Sequence, residues 1–307
     1  MEAQKIGYGD VERAARRVGS GIREVAVADA GDGVWFALEF MQHTGSFKAR
    51  GALNLLLAHR EAGTLPAAGV TIASGGNAGM ACAWAAGRFQ VPATVFVPET
   101  APPVKVERLR GYGADVRQVG TQYADALQAC EEFAASSGAL ASHAYDHPLI
   151  AAGAGTLVDE IRAKVPDLDT IVVSAGGGGL FTGVATAADH HGLSTVVVEP
   201  EHCRALNAAL EAGEPVDVTV DSVAADSLGA RRASRLALDT ARATRADSVL
   251  VTDEEIVDAR RQLWEHYRLA VEHAASTAFA GLRRLEGRRG TTAVVLCGGN
   301  TSLSDLG

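Results

Sequence analysis

Apolar and polar positions change period along this chain in a regular order. Apolar runs at 24–27, 34–40, 70–73, 93–97 and 115–119 have the length and composition of strands. Between them lie stretches whose apolar residues recur three and four apart. One begins near residue 48 and sets Ala52, Leu53, Leu56 and Leu57 on one face. Helices are also expected at 11–18 with Asp10 as cap, at 78–89, after Pro102-Pro103, and at 123–135. The 78–89 stretch is small and apolar almost all round, which predicts burial on both sides. A second series opens near His147 with a helix to Lys164, a strand at 170–173, a helix from Leu180 and a strand at 195–198. Helices and short strands then lead to a strand at 292–296. This alternation predicts parallel βαβ units with right-handed crossovers. The fold class is therefore α/β: two domains of twisted, mostly parallel sheets flanked by helices, with a site between them.

Length and composition agree. The 307 residues suffice for one large or two modest domains, and 47% hydrophobic with 21% charged residues is ordinary for a globular protein. The 34 glycines and abundant alanine point to tight strand–helix packing. The net charge of −9 leaves no basic stripe for nucleic acid. The pairs Arg16-Arg17, Arg231-Arg232 and Arg288-Arg289 read as solvated helix ends. Four cysteines without a CxxC spacing give neither a zinc site nor a disulfide framework, and fit a cytoplasmic address. No secretory leader, membrane span or appended regulatory segment is expected, and so no feedback control through one.

Four stretches carry candidate chemistry. The first, His43 to Asn54 (HTGSFKARGALN), places Lys48 in a short polar connection at the mouth of a helix. The second, Ser74-Gly75-Gly76-Asn77-Ala78, ends a strand and opens a helix. Such a turn presents free amides and the positive end of a helix dipole to an anion, and it also suits a plain Asn/Ser cap. The third, Gly176-Gly177-Gly178-Gly179-Leu180, lets backbone amides wrap a phosphate ahead of a helix. A dinucleotide fingerprint fails here, because its third glycine would fall on Phe181 or Thr182, and no Gly-Lys-Ser/Thr follows for a P-loop. The fourth, Cys297-Gly298-Gly299-Asn300, follows the last strand, and Cys297 by itself reads as a buried thiol.

These stretches, in this order, resemble the fold-type II pyridoxal-phosphate enzymes, in particular the serine/threonine dehydratase (threonine ammonia-lyase) branch. The resemblance runs from about residue 25 to the end and centres on Ser46-Phe47-Lys48-Ala49-Arg50-Gly51-Ala52. It implies a tryptophan synthase β-like architecture, with 41–143 as a smaller domain inserted into a larger one made of 1–40 and 144–307. It implies pyridoxal 5'-phosphate held as a Schiff base on Lys48, with Phe47 against the ring and Asn77 at the ring hydroxyl. Gly176, Gly177, Gly178, Gly179 and Leu180 would take the phosphate, Cys297 would face the pyridine nitrogen, and Glu272 would stand near the cofactor. Ser74, Gly75, Gly76, Asn77 and Ala78 would grip the substrate carboxylate. Glu199 falls where related enzymes bind a cation, but a second carboxylate is missing at Ala205, so no divalent metal is expected, and a weakly held monovalent or water-rich site at Glu199 stays open.

Three positions depart from the family pattern: Gly75 stands where racemases carry serine, Ala225-Asp226-Ser227 replaces Ala-Asp-Gly, and Glu272-His273-Ala274-Ala275 replaces Glu-Pro-x-Gly. His190-His191 reads as surface. The function implied is dehydration and deamination of L-serine and/or L-threonine to pyruvate or 2-oxobutyrate plus ammonia, by a cytoplasmic homodimer. The alternatives are a β-replacement synthase of the same fold, such as a cysteine or threonine synthase, and a nicotinamide-dependent oxidoreductase.

Overall fold

The computed structural model describes residues 5–165, 167–285 and 290–302. Its strands are β1 (Val27–Gly31), β2 (Val34–Ala37), β3 (Val70–Ala73), β4 (Ala93–Val97) and β5 (Asp115–Gln118). They continue with β6 (Leu140–Ala141), β7 (Leu168–Ser174), β8 (Ser194–Pro200), β9 (Asp247–Val251) and β10 (Thr291–Val295). The helices of the first half are α1 (Tyr8–Val18), α2 (Lys48–Glu61), α3 (Asn77–Arg88), α4 (Pro103–Gly111) and α5 (Tyr123–Ser137). Next come α6 (Pro148–Gly155), α7 (Leu157–Lys164), α8 (Gly179–His190) and α9 (Ala205–Ala212). The series closes with α10 (Ala225–Leu228), α11 (Arg235–Thr244), α12 (Asp253–Tyr267) and α13 (His273–Ala280).

Two sheets result. One runs β1-β2-β10-β7-β8-β9, the other β5-β4-β3-β6. Every pairing is parallel except β1 with β2, which are adjacent in sequence and turn back through Asp32 and Gly33. The β3 and β4 residues are buried throughout, as strands covered by helices on both faces must be. The last turn of β2, the glycine turn after β7 and the end of β10 all open on one side of the larger sheet. Ligands of open parallel sheets bind at that carboxyl edge.

Between the sheets the packing is helix on helix, closer than the strand–helix contact expected from the glycine content. Residues 49–56 of α2 are buried, against α6 on one side and α3 on the other. A Cβ on Gly51 would lie 2.7 Å from the Ile150 carbonyl oxygen, and one on Gly183 of α8 would lie 2.0 Å from that of Ala151. Small residues thus bring the backbones of α2, α6 and α8 into direct contact.

Several expectations are corrected. Gly7, not Asp10, caps α1; Asp10 is the third helical residue, and its carboxylate accepts from the Gly7 amide at 2.9 Å. The first strand begins at Val27, and the second stops at Ala37. The helix expected from His147 to Lys164 is two, because the Thr156 hydroxyl donates to the Gly153 carbonyl at 2.8 Å and competes with the helical ladder. His191 is no idle surface residue: its Nε2 lies 2.6 Å from Asp159, and Tyr8 stacks on His190 with centroids 3.7 Å apart. Arg17 is half-buried and reaches Asn54 and Glu61 at 2.7 Å each, so it is not a solvated helix end. Arg288-Arg289 lies outside the described residues.

A methyl group at Gly183 has nowhere to go, because its nearest neighbour is backbone. Gly183→Ala is expected to lower stability by about 3 kcal/mol, the upper range for overpacking, read as a drop in the urea midpoint. An unchanged midpoint would mean that α6 and α8 do not touch as described.

Candidate active site

The lysine loop and the Cys297 loop are zipped together by backbone. Phe47 donates its amide to the Cys297 carbonyl at 3.0 Å, Gly299 donates to the Gly45 carbonyl at 2.9 Å, and Ser46 bridges to Gly298. Asn300 adds a side-chain bond to the Thr44 carbonyl at 2.7 Å. Thr44 holds φ at +65°, a conformation that costs a β-branched residue energy and that these neighbours enforce. The pairing puts Lys48, the first residue of α2, beside Cys297, although the two are 249 positions apart in the chain.

Lys48 donates from Nζ to the Ala144 carbonyl at 2.6 Å and lies 4.8 Å from the centroid of the Phe47 ring. The surrounding protein pushes its amine down from 10.5 to about 8; Cys297 and Glu272 pull the other way but do not offset burial. The Cys297 thiol is buried, pushed up to about 12, and stands 3.7 Å from the Ser174 hydroxyl, so it is neutral. A cation with reduced basicity beside an uncharged thiol is a site for chemistry, since neither arrangement stabilises the fold.

Amides without acceptors face this region. Among the described residues the amides of Gly176, Gly177, Gly178 and Gly179 donate to no protein acceptor, and α8 has no side-chain cap. Buried amides need a partner, and four in a row at a helix N-terminus suit a phosphate. The same glycines are also fixed by close packing. A Cβ on Gly177 would lie 2.2 Å from the Tyr145 ring, and Gly178 has φ +98° with Ala237 pressed against it. The loop therefore serves as a cup on one side and a packing surface on the other. Among the described residues the amides of Gly75, Asn77 and Ala78 at the start of α3 have no partner either, while the Gly76 amide turns to the Ser74 hydroxyl at 3.3 Å. Three buried hydroxyls without a partner among the described residues lie on the same segments: Thr44 and Ser46 on the lysine loop, and Thr182 on α8.

Glu272 gathers the rest. Its carboxylate accepts from Asn77 Nδ2 at 3.0 and 2.9 Å, from the Asn300 amide at 2.9 Å and from the Ser227 hydroxyl at 2.9 Å. Asn300 Nδ2 also donates to Asn77 Oδ1 at 2.8 Å. Lys48, Phe47, Asn77, Glu272 and Cys297 are therefore joined through direct contacts, with the glycine loop linked through Tyr145, the neighbour of Ala144. Asn300 and Tyr145 are not among the site residues that the sequence singles out, and Ser227 figures there only as a departure from the family's Ala-Asp-Gly. Asn300 closes a stretch that had drawn notice for its cysteine, whereas nothing in the sequence marked Tyr145.

Glu199 belongs elsewhere. Its oxygens accept from the amides of Leu206 and Asn207 at 2.8 and 2.7 Å, so the carboxylate serves the start of α9. Among the described residues no group of three or more His, Cys, Asp or Glu could hold a metal ion. Burial raises the Glu199 carboxyl from 4.5 to about 8 against the pull of the two amides. The folded chain thus holds a proton that the unfolded chain loses, and the contribution of Glu199 to stability falls as pH rises from about 4.5 to about 8. Glu199→Gln is expected to remove that slope, so that the stability gap between the two proteins narrows across this window in paired urea titrations. A gap that stays constant would mean that Glu199 is ionised throughout.

The model of a family described as pyridoxal-phosphate dependent enzyme matches residues 23–298. An L-threonine ammonia-lyase of Geobacter sulfurreducens is 37% identical over 278 residues, which cover 89% of this chain and 68% of that one. A human serine dehydratase-like protein is 33% identical over 287 residues, covering 88% and 86%. Among solved structures, a serine racemase from Dictyostelium discoideum superposes with a TM-score of 0.89 at 27% identity, over 97% of this chain and 99% of that one.

Proposed function

The chain belongs to the family of pyridoxal-phosphate-dependent enzymes, and from that premise we propose that it dehydrates and deaminates L-serine and/or L-threonine to pyruvate or 2-oxobutyrate plus ammonia. The observation that carries the reading is the pairing of an amine of lowered basicity, Lys48, with a neutral thiol, Cys297, beside a cup of four unpaired amides. The residues present suit the cofactor. Gly176 to Gly179 and Leu180 would hold its phosphate, Phe47 would lie against its ring, Asn77 would meet its hydroxyl, and Lys48 would bear it. When bound, the cofactor supplies an electron sink for the pair left behind when the α-proton departs.

The protein's own groups do the rest. The free amides at Gly75, Asn77 and Ala78 receive the substrate carboxylate and orient the α-carbon. At neutral pH about a tenth of an amine titrating near 8 is unprotonated, against about one in three thousand for an ordinary lysine. Lys48 is therefore a competent base for the α-proton. Glu272, fixed by four hydrogen bonds from three donors, holds Asn77 in place. Cys297 would offer no negative charge to the ring nitrogen of the bound cofactor, which would favour prompt loss of the β-hydroxyl over return of a proton to the α-carbon. The hydroxyl leaves as water, its departure balanced by the proton that Lys48 has taken up. The enamine released hydrolyses to the 2-oxo acid and ammonia. Gly75 supplies no hydroxyl for a second proton donor, which argues against racemisation despite the likeness to a serine racemase. The failed glycine spacing and the family match set aside the nicotinamide reading, and the SFKARGA stretch resembles the dehydratases more than the synthases.

We further propose that residues 41–143 act as the smaller of two units around the cleft, and that the enzyme works as a cytoplasmic homodimer. All four cysteines are free and buried, and no described helix is long and apolar enough to cross a membrane.

Lys48→Ala is expected to abolish both 2-oxo acid release and the visible absorption of protein-bound cofactor, measured on the same sample. Persistence of both would defeat the assignment. Cys297→Asp is expected to raise the amount of D-amino acid formed per oxo acid released, followed by chiral chromatography. An unchanged ratio would count against the role given to the neutral thiol.

A further inference from the structure

Arg50 stands two residues beyond Lys48 and has no part in the chemistry above, yet it is the largest fully buried side chain among the described residues. Its fork is saturated. Nε and Nη2 donate to the two oxygens of Glu39 at 2.9 and 2.7 Å, and Nη1 and Nη2 donate to the two oxygens of Glu160 at 2.6 and 2.8 Å. Nη1 also meets Thr156 Oγ1 at 3.0 Å, and Nη2 meets the Arg23 carbonyl at 3.4 Å. Glu39 lies in the 3-10 turn that follows β2, Glu160 lies on α7, and Glu160 also accepts from the Val25 amide at 2.7 Å. One guanidinium thus ties the first turn of α2 to three separate segments of the larger unit.

Two features say why the helix needs this. No side chain caps α2, because Phe47 at its N-cap is helical and donates its amide to Cys297. The contact of α2 with α6 across Gly51 and Gly153 sets the separation of their backbones, but small smooth surfaces resist sliding only weakly. Bidentate charged bonds are directional and resist it strongly. A buried cluster of one cation and two carboxylates is no gain in stability over apolar packing, so its presence calls for a positional reason.

We propose that Arg50, acting through Glu39 and Glu160, is a positioning residue that sets where the amine of Lys48 stands at the head of α2. This rests on the reading of Lys48 as the residue that bears the cofactor. Lys48 is faced by Glu272 and Cys297, and its charge reaches His143. Movement of the helix end away from that setting returns the amine to solvent and towards ordinary basicity.

The test uses the cofactor-free full chain. The rate of acetylation of Lys48 by acetic anhydride is followed against pH by peptide mass, and cofactor uptake is timed separately. The wild type is expected to titrate near about 8. Arg50→Lys keeps the charge but loses the fork. It is expected to move that midpoint up by about one pH unit and to slow uptake about tenfold, with a cooperative unfolding transition retained. Glu39→Gln is expected to shift the midpoint in the same direction by less, and it decides the matter alone if Arg50→Lys does not fold. Folded variants whose Lys48 titrates and loads as in the wild type would overturn the proposal. A wild type that loads cofactor on Lys48 but releases no oxo acid would defeat the functional reading and leave this inference standing.

Discussion

The backbone pairing of residues 45–47 with 297–299 is the contact on which the site depends. Each of its hydrogen bonds is worth only about 1 kcal/mol in net stability. Their value lies in what they join, since the lysine loop leaves the edge of β2 and the cysteine loop leaves the end of β10. β2 and β10 are parallel neighbours in the larger sheet, with Val295 opposite Ala37. The register of one strand pair therefore fixes the height of Lys48 against Cys297, and a slip of one residue would turn both loops to the wrong face.

Around that pairing the protein accepts costs. The amine of Lys48 is held below its ordinary value, so between about pH 8 and about pH 10.5 the unfolded chain binds a proton that the folded chain does not. Stability contributed by this residue rises through that window, and below it the penalty is present in full. Thr44 is held at a positive φ, and the backbone amides at Gly176 to Gly179 find no partner among the described residues. None of these helps folding. They are offset by the buried helix stack of α2, α6 and α8 and by the apolar strands of both sheets.

Much of the fold was legible because its strands are buried on both faces and read as continuous apolar runs, as at 70–73 and 93–97. The two-residue β6 was not, since Leu140–Ala141 has neither length nor period. Of the site, the residues on short-range motifs were legible: Lys48 at a helix mouth, the four glycines before α8, Asn77 opening α3. The residues that complete it act across long separations. Asn300 meets Asn77 and Thr44, and Ser227 meets Glu272, contacts that no spacing announces. Glu199 shows the reverse case, where a carboxylate at a suggestive position is taken up by the amides of its own neighbouring helix. Arg50 was in plain sight inside the lysine motif, but only its burial and its two carboxylate partners give it a part to play.

The most direct test of the central claim is the release of 2-oxo acid from a panel of L- and D-β-hydroxy amino acids, with pyridoxal phosphate present and the absorption spectrum recorded alongside. The account predicts pyruvate from L-serine or 2-oxobutyrate from L-threonine, with little from the D-forms, and a visible band from protein-bound cofactor. A cofactor band with no oxo acid from any L-substrate would contradict the elimination chemistry assigned to Lys48 and Cys297.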